Sequence, residues 1–386
     1  MLRFLTAGES HGPGLVTIVE GLPKGLEFTA ESLSHELSRR RLGHGRGGRM
    51  KIEQDEVEII GGIRHGRTLG SPVAVVVRNS EAEKWSRPMS VTAVDEEIGR
   101  VTRPRPGHAD LAGMVKYDTT DARDVLERAS ARETAARTVA GHLAKLLLGE
   151  IGVDVRSHVV AIGDAIAKPG GFELQDFDGV DADPVRCLDS DASTEMVALI
   201  DRATEEKDTL GGIFEVAGFG VPIGLGSYVH YDRRLDAALA GAMMSIPAIK
   251  GVEIGDGFEV AVGPGSTAHD EIVKANGSTG RLTNRAGGVE GGVSNGEVLR
   301  VRAAMKPIST LMRPLQTVDM DTGDEAVAVR ERSDVCAVPA AAVVGEQMVA
   351  WVIACEVMKK FGGDTIGELI ESVRGYRERV SRRLEQ

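Results

Sequence analysis

The chain has 386 residues, of which 42% are hydrophobic and 27% are charged, the composition of a folded globular protein. Its formal net charge of −12 speaks against a general nucleic-acid binder, because neutralising phosphates requires a basic face, and an aromatic content of 4% speaks against base-stacking platforms. The three cysteines, Cys187, Cys336 and Cys355, have no paired or metal-type spacing, which predicts neither disulfides nor a zinc site and is typical of a reducing cytoplasm.

The apolar segments predict neither an export signal nor a membrane span. Glu9 and His11 interrupt the N-terminal segment where a signal peptide requires an apolar run. The most apolar stretch, Ala337 to Met358, contains Glu346 and Gln347 near its middle. We therefore expect a cytoplasmic protein.

Strand and helix patterns are mixed irregularly along the chain. Short apolar or alternating runs predict strands at Leu15 to Glu20, Val57 to Ile63, Val73 to Val77, Val153 to Ile162 and Ile213 to Val221. Helical periodicity predicts helices at Ala30 to Arg41, Ser130 to Leu148, Leu235 to Ile246 and Pro339 to Lys360, and a last helix that starts at Thr365 with a capping box to Glu368. This mixture favours an α+β fold, and since no linker or repeat divides the chain we expect one domain, residues 1–386.

A cluster of cations stands out in this acidic chain. Between Leu37 and Ile52 there is no acidic residue, and the cations are Arg39, Arg40, Arg41, Arg46, Arg49 and Lys51. Arginine forks suit carboxylates and phosphates, and the interleaved glycines allow a close approach of the backbone. The cluster indicates a small polyanionic ligand; a solvated basic loop or a subunit contact is the alternative.

Two later segments also combine arginines with chemistry-bearing groups. The sequence RVTRPRPGHAD presents three arginines on a proline-stiffened arm that ends at His108, a group that can act as an acid or a base, although a lone loop histidine is more often a surface residue. Ser130 and Glu133 have the spacing of a helix cap, and Arg128 and Arg132 beside that helix start indicate an anion site.

The remaining candidates are short motifs. In GESHG, Ser10 and His11 are adjacent and point to opposite sides of an extended chain, so they are not a nucleophile and its base. The glycine-dense run NRAGGVEGGVSNG and the run KPIST could hold a phosphate, but they lack the Walker spacing. Asp334 is interpreted as an approach cap or a solvated loop residue. No histidine lies in ligand spacing, so we expect no metal.

Taken together, the motifs resemble those of the chorismate synthase family from Arg3 to about Phe361. They are TAGESHG, RRRLGHGRGGRM, RPRPGHADLAGMVKY, ERASARETAAR, AIKGVEIGDGF, NRAGGVEGGVSNG, MKPIST and RSDVCAVPA. The resemblance implies a lyase that converts 5-enolpyruvylshikimate 3-phosphate into chorismate and phosphate by 1,4-elimination, the last common step of the shikimate pathway to aromatic amino acids. It also implies reduced FMN, which is required although no net redox change occurs. The substrate's phosphate and two carboxylates would account for the arginine cluster.

The resemblance assigns the proton handling to three residues. His11 would protonate the departing phosphate, and His108 would face the reduced flavin at N1. Asp334 would lie near flavin N5 and relay the proton taken from the substrate ring.

The resemblance also implies two sets of binding residues. The substrate clamp would consist of Ser10, Arg40, Arg46, Arg49, Arg132 and Arg332. The FMN site would consist of Arg128, Ala129, Ser130, Pro247, Ala248, Gly291, Lys306, Pro307, Ile308, Ser309, Thr310 and Arg332. Positions such as Arg40 and Arg46 are also linked to NADP in the family. Pro247 departs from the polar residue of many relatives, so that only a backbone contact to flavin would remain there.

The fold implied by the resemblance is a β-α-β sandwich with helices packed between antiparallel sheets, and the implied assembly is a homotetramer. No flavin-reductase domain is left over, so the chain resembles the monofunctional, bacterial type, in which an external flavin reductase or a reducing environment reduces FMN and NADPH acts only indirectly.

Three alternatives remain open at this stage. A flavin oxidoreductase would use the same FMN pocket but consume the flavin's electrons with each turnover. A non-catalytic anion-binding or scaffold module would use the arginine cluster as a contact surface. A hydrolase with Ser10 as nucleophile is disfavoured because no base lies beside it.

Overall fold

A computed structural model of the chain describes residues 1–47, 55–95, 98–170, 173–275, 277–330 and 333–385. Its strands are β1 (Arg3–Ala7), β2 (Gly14–Glu20), β3 (Glu56–Gly61), β4 (Ile63–Arg64), β5 (Arg67–Thr68), β6 (Val73–Arg78), β7 (Asp154–Ile162), β8 (Ala165–Ile166), β9 (Gly212–Phe219), β10 (Ile249–Ile254), β11 (Ile272–Ala275), β12 (Ser278–Arg281), β13 (Val289–Glu290), β14 (Val293–Ser294), β15 (Leu299–Met305), β16 (Gln316–Val318) and β17 (Glu325–Val327). Its helices are α1 (Ala30–Arg39), α2 (Asp110–Tyr117), α3 (Arg123–Leu126), α4 (Thr134–Gly149), α5 (Ser190–Glu206), α6 (Leu235–Met244), α7 (Gly257–Val260), α8 (Gly265–Ala268), α9 (Val338–Phe361) and α10 (Ile366–Leu384).

Two antiparallel sheets form the outer layers of the fold. One has the strand order β1-β2-β6-β3 and the other the order β10-β15-β9-β7-β8. Helices α4 and α9 pack against each other between the sheets, α4 against β2 and α9 against β7 and β9. The predicted α+β sandwich with helices between antiparallel sheets is therefore confirmed.

The residue pattern explains why these elements assemble. In β6, Val73, Val75 and Val77 point inward and are fully buried, as period-2 alternation requires. On α4, a Cβ on Gly141 would lie 2.3 Å from Cβ of Gln347 on α9, so only glycine lets the two helices approach this closely. The glycine thus allows the close contact that joins the central helices.

Helix α9 is the core helix of the protein. It is the one helix among the described residues that is long and apolar enough to cross a membrane, and 94% of its most apolar window is buried inside the fold. A helix surrounded on nearly all sides by protein is apolar all round for that reason.

Most predicted elements coincide with observed ones, with one correction. The helix predicted from Ser130 begins at Thr134, after a 3₁₀ turn at Ala131–Glu133. Ser130 Oγ accepts the backbone N–H of Arg132 at 3.2 Å, so that it caps the 3₁₀ turn and not the α-helix. The capping box of Thr365 and Glu368 is confirmed at the start of α10.

Candidate active site

A cavity of about 510 Å³ lies where loops from distant parts of the chain meet. Its walls come from the loop after β1, the residues after α1, the arm before α2 and the turn before α4. The residues before β10, the end of β15 with the residues after it, and the approach to α9 complete them. Most motifs singled out in the sequence therefore converge on one place.

The cavity brings together most of the predicted site residues. Those that line it are Ser10, His11, Arg40, Arg46, His108, Ala129, Ser130, Arg132, Pro247, Ala248, Lys306, Ile308, Ser309, Thr310 and Asp334. Arg128 lies behind the wall, where its guanidinium donates to the carbonyl oxygens of Thr6 and Gly8. Pro307 is not among the lining residues, and Gly291 lies in the tight turn between β13 and β14. Arg49 and Arg332 lie outside the described residues.

His11 is anchored by a buried carboxylate. Its Nδ1 lies 2.9 Å from both carboxylate oxygens of Glu127, and its backbone N–H donates to the same carboxylate at 3.0 Å. Glu127 directly follows α3, and Arg123 of that helix donates to it at 3.0 Å. Since Glu127 engages Nδ1, a proton transferred to a ligand would come from Nε2.

The charge state of Glu127 suits this arrangement. Burial works to raise the pKa of Glu127, but the hydrogen bonds from His11 and the charges of His11 and Arg123 outweigh it and hold the pKa below its ordinary value. The carboxylate is thus ionised.

His108 has a similar anchor on the opposite arm. Its Nδ1 contacts Asp110 Oδ1, and Arg105 Nε donates to Asp110 Oδ2 at 2.8 Å. Arg105 also donates to Thr310 Oγ1 at 3.1 Å, which joins the arm to the segment after β15. Burial works to raise the pKa of Asp110, but hydrogen bonds from His108 and Arg105 hold it well below its usual range.

Two arginines of the cavity share one carboxylate. Arg132 forms an ion pair with the buried Asp55, and its Nε donates to Asn79 Oδ1 at 2.9 Å. Arg40 Nη2 lies 3.7 Å from the other oxygen of Asp55. Asp55 thereby orients the guanidinium of Arg132 and places a negative charge beside that of Arg40.

Asp334 is an ion-pair partner in the structure. Arg46 Nη1 lies 2.6 Å from Asp334 Oδ2, and the backbone N–H of Gly47 donates to Oδ1 at 2.7 Å. Helix α9 begins after Ala337 without a side-chain cap, so the interpretation of Asp334 as an approach cap or a solvated loop residue is wrong. The contact fastens the arginine-rich loop to the residues that lead into α9.

Lys306 forms a further link across the cavity. Its Nζ donates to Ser309 Oγ at 2.8 Å, and Ser309 Oγ donates to the carbonyl of Gly107 at 2.9 Å. Burial, followed by the positive charge of Lys250, lowers the pKa of Lys306. An anion bound beside Nζ would relieve both effects.

Sequence reasoning missed the carboxylates that hold the cavity groups, Asp55, Asp110 and Glu127. Asp110 has a local signal, because it lies two residues after His108 at the start of α2. Glu127 and Asp55 have none, since their partners His11 and Arg132 lie 116 and 77 residues away along the chain. Only the fold brings these charges together.

The cavity as a whole is cationic. Its described lining residues include Arg40, Arg46, Arg105, Arg132 and Lys306, and Asp334 is the one carboxylate among them. Although the protein is acidic overall, this cavity is cationic, and it also holds two histidines that have carboxylate partners. These features are the ones that an enzyme active site needs to bind a small polyanion and to transfer protons.

Comparison with known proteins shows which family of enzymes the chain is similar to. The family model for chorismate synthase matches residues 2–358. The chorismate synthase of Salinispora tropica is 59% identical over 385 residues, and that of Streptomyces coelicolor is 58% identical over 384 residues; each match covers 97% of this chain and 98% of the relative. A crystal structure of chorismate synthase matches 99% of this chain and 98% of its own with a TM-score of 0.79 at 38% identity.

The chain belongs to the chorismate synthase family. It is therefore an enzyme, a lyase of the shikimate pathway to aromatic amino acids, and it acts on a small-molecule substrate.

Proposed function

We propose that the cavity binds 5-enolpyruvylshikimate 3-phosphate beside reduced FMN and catalyses the 1,4-elimination of phosphate that yields chorismate. The observation that carries this proposal is the pairing of two carboxylate-anchored histidines, His11 and His108, in one cationic cavity. A substrate with a phosphate and two carboxylates needs several cations, and its departing phosphate needs a proton.

The chemistry of the lining fits a flavin mononucleotide. Leu126, Ile246, Met305 and Val344 supply an apolar surface for a flat ring system, and Lys306, Ser309 and Thr310 supply donors for polar groups. When bound, reduced FMN would supply electron density to the reacting ring without net oxidation. We propose the predicted residues as its site, with Arg128 acting from behind the wall through Ala129.

The substrate would be held by the arginines. Arg132 is held by Asp55 and Asn79, so that its position is set before the ligand arrives, and Arg40 lies beside the same carboxylate. This preorganisation lowers the cost of binding a multiply charged anion. Arg46, held by Asp334, would be a further cation of the proposed clamp, which also includes Ser10, Arg49 and Arg332.

Proton transfer would be divided among three groups. His11, with Nδ1 on Glu127, would donate a proton to the departing phosphate. His108, with Asp110 behind it, would carry a stabilising proton beside the flavin. Asp334 would take up the proton that the substrate ring loses.

The cellular setting of the enzyme remains part of the proposal. We propose a cytoplasmic homotetramer that has no flavin-reductase activity of its own and receives reduced FMN from an external reductase, with NADPH as the indirect reductant. Incubating the purified protein with FMN and NADPH should then reduce flavin no faster than a protein-free control does. Flavin reduction at a catalytically useful rate would contradict this part.

The main test is an anaerobic assay with sub-stoichiometric dithionite-reduced FMN, in which phosphate and chorismate are followed together. Many turnovers per flavin are expected, with equal yields of both products. Phosphate released only in proportion to oxidised flavin would instead indicate a flavin oxidoreductase. His11→Ala and His108→Ala should abolish most turnover, whereas His35→Ala on the exposed face of α1 should not.

A further inference from the structure

Trp85 packs directly against the imidazole ring of His11. The two ring centroids lie 4.2 Å apart with an interplanar angle of 29°, which is a stacked arrangement. Trp85 is half-buried at the end of a 3₁₀ turn, Ala82–Trp85, in the segment after β6. The motifs considered in the sequence do not include this segment.

The same indole also contacts the charged neighbours of His11. The guanidinium carbon of Arg123 lies 4.9 Å from the centroid of Trp85, and Arg123 donates to Glu127, which holds His11 Nδ1. We call Trp85, Arg123 and Glu127 the His11 cage. Its members come from two separate segments, so the orientation of His11 depends on both.

An indole face attracts a cation, and this attraction strengthens when the cation is partly withdrawn from water. The imidazole of His11 is largely buried, with a side-chain exposure of 11%. A stacked indole also restricts rotation of the imidazole ring and thereby keeps Nδ1 on Glu127. Both effects serve a group that must donate a proton repeatedly in one direction.

We propose that Trp85 is a positioning residue that holds His11 on Glu127 and favours its protonated form. The inference rests on the proposed function only in assigning the proton donor to His11. Trp85 itself acts through His11 and exchanges no proton.

Several other charges act on the same imidazole. Glu127 favours its protonation, whereas Arg123 beside Glu127 opposes it. The cations that line the same cavity also oppose it, and Asp334 there partly offsets them; they are Arg40, Arg46, Arg105, Arg132 and Lys306. The indole adds a further interaction that favours the protonated imidazole, although the indole itself is uncharged.

The first test uses tryptophan fluorescence and needs neither substrate nor flavin. The chain has two tryptophans, so Trp351→Phe leaves Trp85 as the only one. In this variant we expect the emission of Trp85 to fall as pH decreases, because a protonated imidazole in contact quenches indole fluorescence. His11→Gln in the same background should remove this transition, and an unchanged transition would overturn the contact.

The second test is the pH dependence of turnover. Trp85→Leu should shift the alkaline limb of the kcat/KM profile to lower pH by about 0.5 to 1 pH unit, because the acid form of His11 loses its aromatic neighbour. Trp85→Phe, which keeps a ring, should restore most of the shift. Trp351→Phe, in the core against Phe4, is the matched control and should leave the profile unchanged.

The outcomes separate this inference from the proposed function. A Trp85→Leu protein that melts like the parent but retains the parent's pH profile would overturn the positioning role and leave the proton donor assignment intact. If the fluorescence transition depends on His11 but turnover does not, the donor assignment fails, and the positioning role in catalysis fails with it.

Discussion

Arg39 and Glu346, 307 residues apart in the chain, form a two-pronged ion pair inside the core. Arg39 Nη1 lies 2.6 Å from Glu346 Oε1, and Nη2 lies 3.1 Å from Oε2. Glu346 is fully buried on α9, and Arg39 ends α1 directly before Arg40 of the cavity. The pair therefore connects the central helix to the arginine-rich loop.

Replacing Glu346 should be strongly destabilising. Glu346→Gln would leave the cations of Arg39, Arg186 and Lys145 without their shared carboxylate, and breaking a buried ion pair in this way costs about 3 to 5 kcal/mol. Urea unfolding at fixed protein concentration measures the loss. Glu356→Gln, in a partly exposed pair with Lys359 on the same helix, should change stability by less than about 1 kcal/mol.

A second prediction concerns the substrate clamp. Arg132→Lys keeps the charge, but a single ammonium cannot reproduce the contacts of the guanidinium with Asp55 and Asn79. We expect KM for the substrate to rise about tenfold or more, which corresponds to about 1.4 kcal/mol. Arg137→Lys on α4, outside the main cavity, is the control, and an equal effect there would argue against the clamp.

A third prediction concerns the anchor of His108. Asp110→Asn removes the negative charge that His108 and Arg105 share, so we expect kcat/KM to fall about ten- to hundredfold. Steady-state kinetics at saturating reduced FMN measure this effect. Asp118→Asn, at the exposed end of the same helix, should behave like the parent, since asparagine tolerates the left-handed backbone of that position.

A fourth prediction concerns acid stability. Burial works to raise the pKa of Glu215, but the neighbouring His158, 3.9 Å away, and the charges of Arg300 and Arg302 lower it from an ordinary value of 4.5 to about 2. A lowered pKa stabilises the fold above the unfolded value, and this stability is lost as pH falls from about 4.5 towards 2. The free energy of unfolding of the parent should therefore decrease as pH falls through this range.

Glu215→Gln tests this assignment. At pH 7 the variant should be less stable than the parent by about 3 kcal/mol, because Arg300 and Arg302 lose their buried partner. The difference in stability between the parent and the variant should become smaller as pH falls below about 4.5. Thermal unfolding across this pH range measures it, and a difference that stays constant with pH would assign the stabilisation to packing instead of charge.

The local sequence pattern was sufficient to predict those helices and strands whose periodicity or capping residues lie within one segment of the chain. The periodic apolar residues of α9 and the capping box of α10 predict those helices directly. Strand β15 is absent from the predicted elements, although Arg300 and Arg302 alternate with its apolar residues at strand spacing; the charges of both arginines are paired only across the sheet, with Glu215 on β9. Helix α5 is absent as well, although Ala192, Met196 and Ile200 repeat at helical spacing.

The sequence by itself determined which chemical groups the site has: a cationic cluster, two histidines in glycine-flanked motifs and the segment KPIST, which could hold a phosphate. These follow from residue types and short spacings, which are local properties of the chain. The tertiary structure alone decided which charge holds which group, as Glu127 holds His11 and Asp55 holds Arg132. Such pairings join residues far apart in sequence, and only packing of the core fixes the few ångströms over which hydrogen bonds and ion pairs form.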